Sequence, residues 1–350
     1  MAVPRSTVVD RSVIGCYHCI SRCVRRAFLC GGEFEHRKEW IRRRLERLVD
    51  TFSIDVAAYA IMSNHLHVIV RVDPHHAAEM PAREVVERWS RLFPASVRRW
   101  AGTPHLDDAI NVVAGDPPRV AVLRDRLSDL SWFMKCAKEH IARRANREDD
   151  CTGSFWEGRF KSPRLLDDAA LLQGMVYADL NPIRAGIAET PEESEHTSVR
   201  DRIRVRQRLQ ERRARKDRTS TKGSRKRASR LRLSSIELRA PDDGIWLAPI
   251  DRRRNKRRPG LLPITLDQYL TVVDETGRMM RSGKRGAVPS MLPPILERLK
   301  VEASAWVTIW GEIGRVFGTA LGSPEARAAE ARRRGAKRVV GSLRPTPDST

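Results

Sequence analysis

The sequence is poor in aromatic residues and has no long apolar segment. Aromatic side chains make up 6% of the 350 residues, and tyrosine occurs only four times. No run approaches the roughly 20 apolar residues that a membrane-spanning helix needs, and the N-terminus lacks the apolar stretch of a secretory signal peptide. The hydrophobic fraction of 41% is still enough for a real core. We therefore expect a soluble, cytoplasmic protein that has no membrane partner.

Acidic residues are too few to balance the basic ones. The chain has 66 Lys and Arg against 44 Asp and Glu, a formal net charge of +22. Such a charge attracts polyanions over long distances, so nucleic acid is the favoured partner and association with the nucleoid is expected. An anionic membrane surface is the alternative, but binding to it usually requires an amphipathic helix with a strong apolar face.

Cysteine is also scarce, with six residues in the chain. Without an export signal these are expected to be thiols rather than disulfides. Cys16, Cys19, Cys23 and Cys30 surround His18 and resemble a metal-ligand cluster. However, neighbours on a strand point to opposite faces, and no second Cys-x-x-Cys completes a tetrahedral set. Small buried hydrophobic side chains are the favoured interpretation.

The spacing of apolar residues predicts an α+β fold. Strands are predicted over residues 16–24, 54–62 and 65–72, helices over 35–52 and 130–145, and a loop into an edge strand over 153–161. The order strand, helix, strand, strand, helix, strand is that of a ferredoxin-like split β-α-β domain. Prolines interrupt the pattern between the third strand and the second helix, which predicts a partly helical insertion over about 74–128.

The remainder of the chain divides by composition. The main domain is predicted over 1–200, a basic and flexible linker over 201–258, a small helical accessory domain over 259–322, and a basic, disordered tail over 323–350. The first part of the linker, 200–218, could become helical on a polyanion. Helices are expected over 265–276 and 293–321, the latter with Trp306, Trp310 and Phe317 as its apolar residues.

Two short motifs carry possible chemistry. His65 and His67 lie two residues apart on a predicted strand, so both imidazoles can point to one face and bind a divalent metal. A surface or hydrogen-bonded pair is the alternative. Tyr177 and Asn181 lie four residues apart on a helix predicted to begin at Asp167 or Asp168. Taken alone, Tyr177 could lie at the edge of the buried helix face, and Asn181 could be the N-cap of a turn that begins with Pro182.

Several of these segments together resemble a known family. Over about residues 14–200, apart from the insertion, the chain is similar to the single-tyrosine HUH transposases of the REP-associated tyrosine transposase branch. The resemblance rests on four segments, which are Tyr17-His-Cys-Ile-Ser-Arg22, Met62-Ser-Asn-His-Leu-His67, Trp156 with Arg159-Phe-Lys161, and Tyr177-Ala-Asp-Leu-Asn-Pro-Ile-Arg-Ala-Gly186.

The resemblance implies an HUH endonuclease domain in which His65, His67 and Asn181 hold Mg²⁺ or Mn²⁺. Tyr177 would be the nucleophile that attacks single-stranded, hairpin-forming DNA. A 5′-phosphotyrosine intermediate would then allow rejoining without ATP. A homodimer is possible in this family. The alternatives are a catalytically inactive relative that only binds DNA or RNA, and a metal phosphodiesterase that uses water.

The basic residues of these segments are the expected DNA contacts. They are Arg22, Arg159, Lys161 and Arg184, and Phe155 and Trp156 are candidates for stacking on unpaired bases. Trp156 could equally belong to the core.

Overall fold

A computed structural model describes residues 9–220, 246–252, 260–279 and 320–336, together with a few single positions between and beyond these ranges. The chain forms two compact units. The first comprises Met1–Ala178 with Gly311–Thr350, and the second comprises Asp179–Trp310. This division differs from the boundary expected at residue 200.

The first unit contains a five-stranded mixed sheet, which confirms the α+β class. Its strands are β1 (Gly15–Arg22), β2 (Ile54–Ile61), β3 (His65–Val72), β4 (Arg164–Leu165) and β5 (Ala320–Leu321). Their order is β2-β3-β1-β4-β5. All neighbours are antiparallel except β4 and β5, which are parallel. The predicted edge strand over 153–161 contains only isolated bridges, of Trp156 to Cys23 and of Lys161 to Ile20.

Helices cover both faces of this sheet. On one side lie α1 (His36–Val49) and α7 (Leu130–Glu148), whose apolar residues Ile41 and Ile141 approach Leu66. On the other side lies α8 (Asp168–Asp179), where Gly174 approaches Ile69. Residues 66 and 69 point to opposite faces because side chains alternate along a strand. Leu66 and Val68 are buried in the core, as predicted.

The insertion is helical almost throughout and has its own apolar core. Its helices are α2 (Pro74–Glu79), α3 (Ala82–Ser90), α4 (Pro94–Ala101), α5 (Leu106–Ala114) and α6 (Pro117–Leu127). Three of its prolines, Pro74, Pro94 and Pro117, are the first residue of a helix. Proline is favoured there because its missing N–H has no intrahelical partner in any case. Trp89, 2% exposed, packs among the apolar residues of these helices.

The second unit contains three described helices, one of which, over 198–220, enters the segment expected to be a flexible linker. Its described helices are α9 (Asn181–Arg184), α10 (Ser198–Ser220) and α11 (Leu266–Arg278). The helix predicted over 265–276 is therefore present, and Thr265 begins it with a capping box. The buried carboxylate of Asp179 accepts hydrogen bonds from the Ser198 hydroxyl, the Val199 amide and the Tyr269 hydroxyl. It therefore links the first turn of α10 to α11.

Part of the segment expected to be a disordered tail is helical. Helix α12 spans Pro324–Arg333, and its Glu330 pairs with Arg164 of β4 at 2.5 Å. Most of the helix predicted over 293–321, with its two tryptophans and Phe317, lies outside the described residues. None of the helices in the described part of the chain combines the length and apolar character needed to cross a membrane.

Candidate active site

Three imidazoles and one phenol meet on a single face of the sheet. The ring centroids of His65 and His67 are 5.0 Å apart, and that of His67 lies 5.6 Å from Tyr177. His18 of β1 completes the group at 5.0 Å from His67 and 5.8 Å from Tyr177. His65 and Tyr177 are half-buried, whereas His18 and His67 are buried. The first three strands, in the order β2-β3-β1, therefore bring together residues that are far apart in the sequence.

A glycine in α8 allows Tyr177 to come this close. A β-carbon at Gly174 would lie 3.1 Å from a methyl group of Leu165 and 3.5 Å from one of Ile69. Tyr177 lies three residues further on, so it projects from the same side of the helix. Asp167 fixes the start of this helix, since its carboxylate accepts a hydrogen bond of 2.8 Å from the Ala170 amide. The predicted start of this helix at Asp167 or Asp168 is thus confirmed.

Hydrogen bonds determine which nitrogen of His65 carries the proton. The side-chain amide of Asn64 donates to the carbonyl of Arg26 at 3.1 Å, so its oxygen faces His65. That oxygen can only accept, and therefore Nδ1 of His65 carries the hydrogen across the 2.7 Å contact. The lone pair of His65 is left on Nε2, the form in which a histidine can bind a metal ion.

His67 has a similar partner in His18. Nδ1 of His67 and Nε2 of His18 are 2.8 Å apart in a buried contact. Burial lowers the pKa of His18 to about 4, so this ring is neutral at physiological pH. When His18 accepts the hydrogen from Nδ1 of His67, the lone pair of the His67 ring lies on Nε2. A metal-binding histidine typically donates its other ring N–H in this way.

Asn181 lies in the second unit, and its backbone differs from the expected cap. The N-cap residue of α9 is Leu180, while Asn181 and Pro182 are the first two helical residues. The interpretation of Asn181 as an N-cap is therefore wrong. Its side chain is buried, with 9% exposure. Arg184 is half-buried at the end of the same short helix.

Basic side chains border the histidines on the same face. Arg22 is the cross-strand partner of His65, and Lys161 bridges to Ile20, which pairs with His67. Directly paired residues on neighbouring strands share a face of the sheet. Arg22, Arg159 and Lys161 are all exposed, which suits contact with a phosphate backbone.

The two aromatic candidates for base stacking belong to the core instead. Phe155 is 3% and Trp156 9% exposed. The indole N–H of Trp156 donates to the carbonyl of Lys138 at 3.0 Å, so this tryptophan holds the segment against α7. Stacking of bases on these two rings in the folded protein is therefore excluded by their burial.

The cysteine cluster carries no metal set. All six cysteines are free thiols, and Cys19, Cys23 and Cys30 are buried. Within the described ranges, no group of three or more His, Cys, Asp or Glu side chains is arranged to hold a metal ion.

Sequence reasoning missed the place of His18 in this group. Its signal was present, because His18, Ile20 and Arg22 alternate on one face of a strand that runs next to β3. The role of Asn64 was also missed, although this residue lies within the Met62–His67 segment.

No family model matches the chain, and no curated protein matches it. Among solved structures, one described as the REP-associated tyrosine transposase bound to a REP hairpin is similar to this chain. The TM-score is 0.36 and the sequence identity 10%, over 58% of this chain and 86% of that chain. A TM-score this low does not establish a shared fold.

Proposed function

We propose that this protein is a metal-dependent transposase that cleaves and rejoins single-stranded, hairpin-forming DNA through a 5′-phosphotyrosine intermediate. The observation that carries the proposal is the placement of the Tyr177 ring 5.6 Å from His67, on the sheet face that also bears His65. A nucleophile and two metal-binding side chains would then act on the same phosphate.

The sheet supports the finer assignment of a ferredoxin-like HUH domain. The order β2-β3-β1-β4 with antiparallel neighbours is the arrangement expected for a split β-α-β unit. β5 and the helical insertion are additions to that unit.

His65, His67 and Asn181 would hold the ion, which is Mg²⁺ or Mn²⁺ in this proposal. The two imidazoles fit such a role, because hydrogen bonds to Asn64 and His18 engage their Nδ1 atoms and place the ring lone pair on Nε2, the usual arrangement of a metal-binding histidine. When bound, the ion would polarise the scissile phosphate and neutralise charge that develops on it. The place of Asn181 in this set rests on the resemblance of its motif.

Tyr177 would carry out the covalent step. Its phenol loses a proton, and the oxygen forms a bond to the phosphorus while the bond from phosphorus to the 3′ oxygen breaks. The 3′ oxygen gains a proton and leaves as a hydroxyl. Because the phosphotyrosine bond keeps the energy of the phosphodiester, a 3′-hydroxyl from another strand can reverse the step. Arg22, Arg159 and Lys161 would hold the DNA backbone nearby.

A denaturing gel tests this proposal. The protein is incubated with a labelled DNA hairpin carrying a single-stranded flank, in Mn²⁺. We expect a covalent protein–DNA band that is absent in Tyr177→Phe and after addition of EDTA. Tyr17→Phe is the matched control, since the buried Tyr17 hydroxyl has no hydrogen-bond partner among the described residues, and it should keep the band. His65→Ala should keep DNA affinity and lose cleavage.

Two other outcomes would contradict the proposal. Cleavage without a covalent band would indicate a hydrolase that uses water. Binding under native conditions, without cleavage in any divalent metal, would indicate an inactive DNA-binding relative.

A further inference from the structure

A second cluster of basic residues lies on the opposite side of the sheet from His67. Helices α1 and α7 pack side by side there and line a cavity of about 360 Å³ that is open to solvent. We call this cavity the arginine pocket. Its lining includes Trp40, Arg43, Arg44, Arg47, His140 and Arg144. Its volume is within the range of about 300–1,000 Å³ that is typical of ligand sites.

The charge of the pocket is far from balanced. Four arginines line it, and Glu39 is the acidic residue among its lining side chains. Glu39 already pairs with Arg42 and Arg43. Among the side chains that the structure describes, no carboxylate forms an ion pair with Arg47 or Arg144. An anionic ligand would supply the missing negative charge.

Contacts with neighbouring residues hold two of the guanidinium groups that line the pocket. Nε of Arg44 donates to the carbonyl of Cys136 at 3.0 Å, which holds that half-buried guanidinium between the helices. The Arg144 guanidinium lies 3.7 Å from the centre of the Trp40 ring. Burial, together with the positive charges of Arg44, Arg144, Arg47 and Arg147, lowers the pKa of His140. The local field is therefore positive.

We propose that the arginine pocket binds phosphate groups of a nucleic-acid backbone, as a contact separate from the His67–Tyr177 site. A polymer fits better than a small anion because positive charge continues outside the cavity on exposed Arg147 of α7, whereas the neighbouring Arg143 is paired with Glu139. Guanidinium groups suit phosphate through paired N–H donors. This binding does not require the chain to cut DNA, so it goes beyond the proposed transposase activity.

Binding measurements on paired variants test this inference. Arg47→Gln/Arg144→Gln removes two exposed charges from the pocket. Arg98→Gln/Arg99→Gln removes two exposed charges from α4 of the insertion and is the matched control. Both changes are made in a Tyr177→Phe background, so that cleavage does not alter the DNA. Fluorescence anisotropy then gives the affinity for a hairpin with a single-stranded flank at salt concentrations from about 50 to 200 mM.

The pocket variant should bind more weakly than the control and depend less on salt. The slope of log affinity against log salt is negative, and loss of two phosphate contacts to a single strand reduces its magnitude by about 1.4. The control should keep nearly the parental slope, and Arg47→Lys/Arg144→Lys should restore most of it. Equal effects in the pocket variant and the control would overturn the inference.

A titration with AMP separates a polymer from a small phosphate ligand. In calorimetry we expect no saturable binding of AMP below millimolar concentration. A tight AMP site that disappears in Arg47→Gln/Arg144→Gln, while oligonucleotide affinity stays at the control level, would instead show a nucleotide pocket and overturn the nucleic-acid assignment. Unchanged thermal unfolding of both variants confirms that the fold is intact.

Discussion

Replacement of His18 tests whether this buried ring positions His67 for metal binding. His18→Leu removes the hydrogen-bond partner 2.8 Å from Nδ1 of His67 while keeping an apolar side chain in the space. His67 is only 4% exposed, so water cannot readily replace the lost partner. We expect weaker binding of Mn²⁺ and slower formation of the covalent adduct.

The size of the effect follows from the hydrogen bond. Leaving a buried polar group without a partner costs about 1–3 kcal/mol. If this cost falls on the metal-binding form of His67, Mn²⁺ affinity drops by about 5- to 150-fold, since about 1.4 kcal/mol corresponds to a factor of ten. Loss of a similar outer partner typically lowers metal affinity or activity by about 10- to 100-fold.

Calorimetric titration with Mn²⁺ and the rate of adduct formation are the two assays. His18→Gln places an amide where Nε2 of the imidazole lay, and it should restore much of the affinity that His18→Leu loses. A merely structural role would not distinguish the two variants in this way. The reasoning is refuted if His18→Leu folds normally and keeps the parental Mn²⁺ affinity and adduct rate.

Three further predictions concern stability, measured as the free energy of unfolding in denaturant. Arg37→Met removes a fully buried guanidinium that pairs with Glu148 and Asp149. It should lower the free energy of unfolding of the first unit by about 2 kcal/mol. This loss is smaller than the loss on breaking a fully buried ion pair, because both carboxylates stay in contact with solvent. Trp89→Ala should cost about 3–5 kcal/mol by leaving a cavity in the insertion core, and normal stability would show that this core does not contribute to folding. Asp179→Ala should cost about 1–3 kcal/mol, since it leaves buried donors without an acceptor. Burial raises the pKa of Asp179 to about 6, so its contribution to stability falls as pH rises from about 4 through 6. The difference between parent and Asp179→Ala should therefore be larger at pH 4 than at pH 7, and a difference that grows with pH would contradict this assignment.

Local patterns predicted the long elements well. The strand over 65–72 matches β3, and α1 and α7 lie where the apolar spacing placed them. The short strands were not predicted at their observed positions. β4 and β5 have two residues each, too few to show an alternation, and they form through pairing with distant segments. The prolines of the insertion were expected to interrupt helices, but three of them are the first residue of one.

The sequence predicted part of the candidate site. His65 and His67 share a face because their spacing fits a strand, and this could be foreseen. The proximity of Tyr177 to His67 depends on how α8 packs against the sheet, for which Gly174 offered only a weak signal. The place of His18 depends on β1 running beside β3, which follows from the predicted split β-α-β domain as a whole and not from the local pattern around His18. The catalytic and metal-binding roles of these residues stay predictions.

The parallel pairing of β5 with β4 matters for any attempt to study the N-terminal part alone. A chain cut after residue 200 would lose the last strand of the sheet and the Glu330 partner of the buried Arg164 side chain. The backbone of β4 would then become an open edge, which invites association between molecules. Shortened forms should therefore carry the 320–336 segment, for instance rejoined through a short linker, to remain monodisperse.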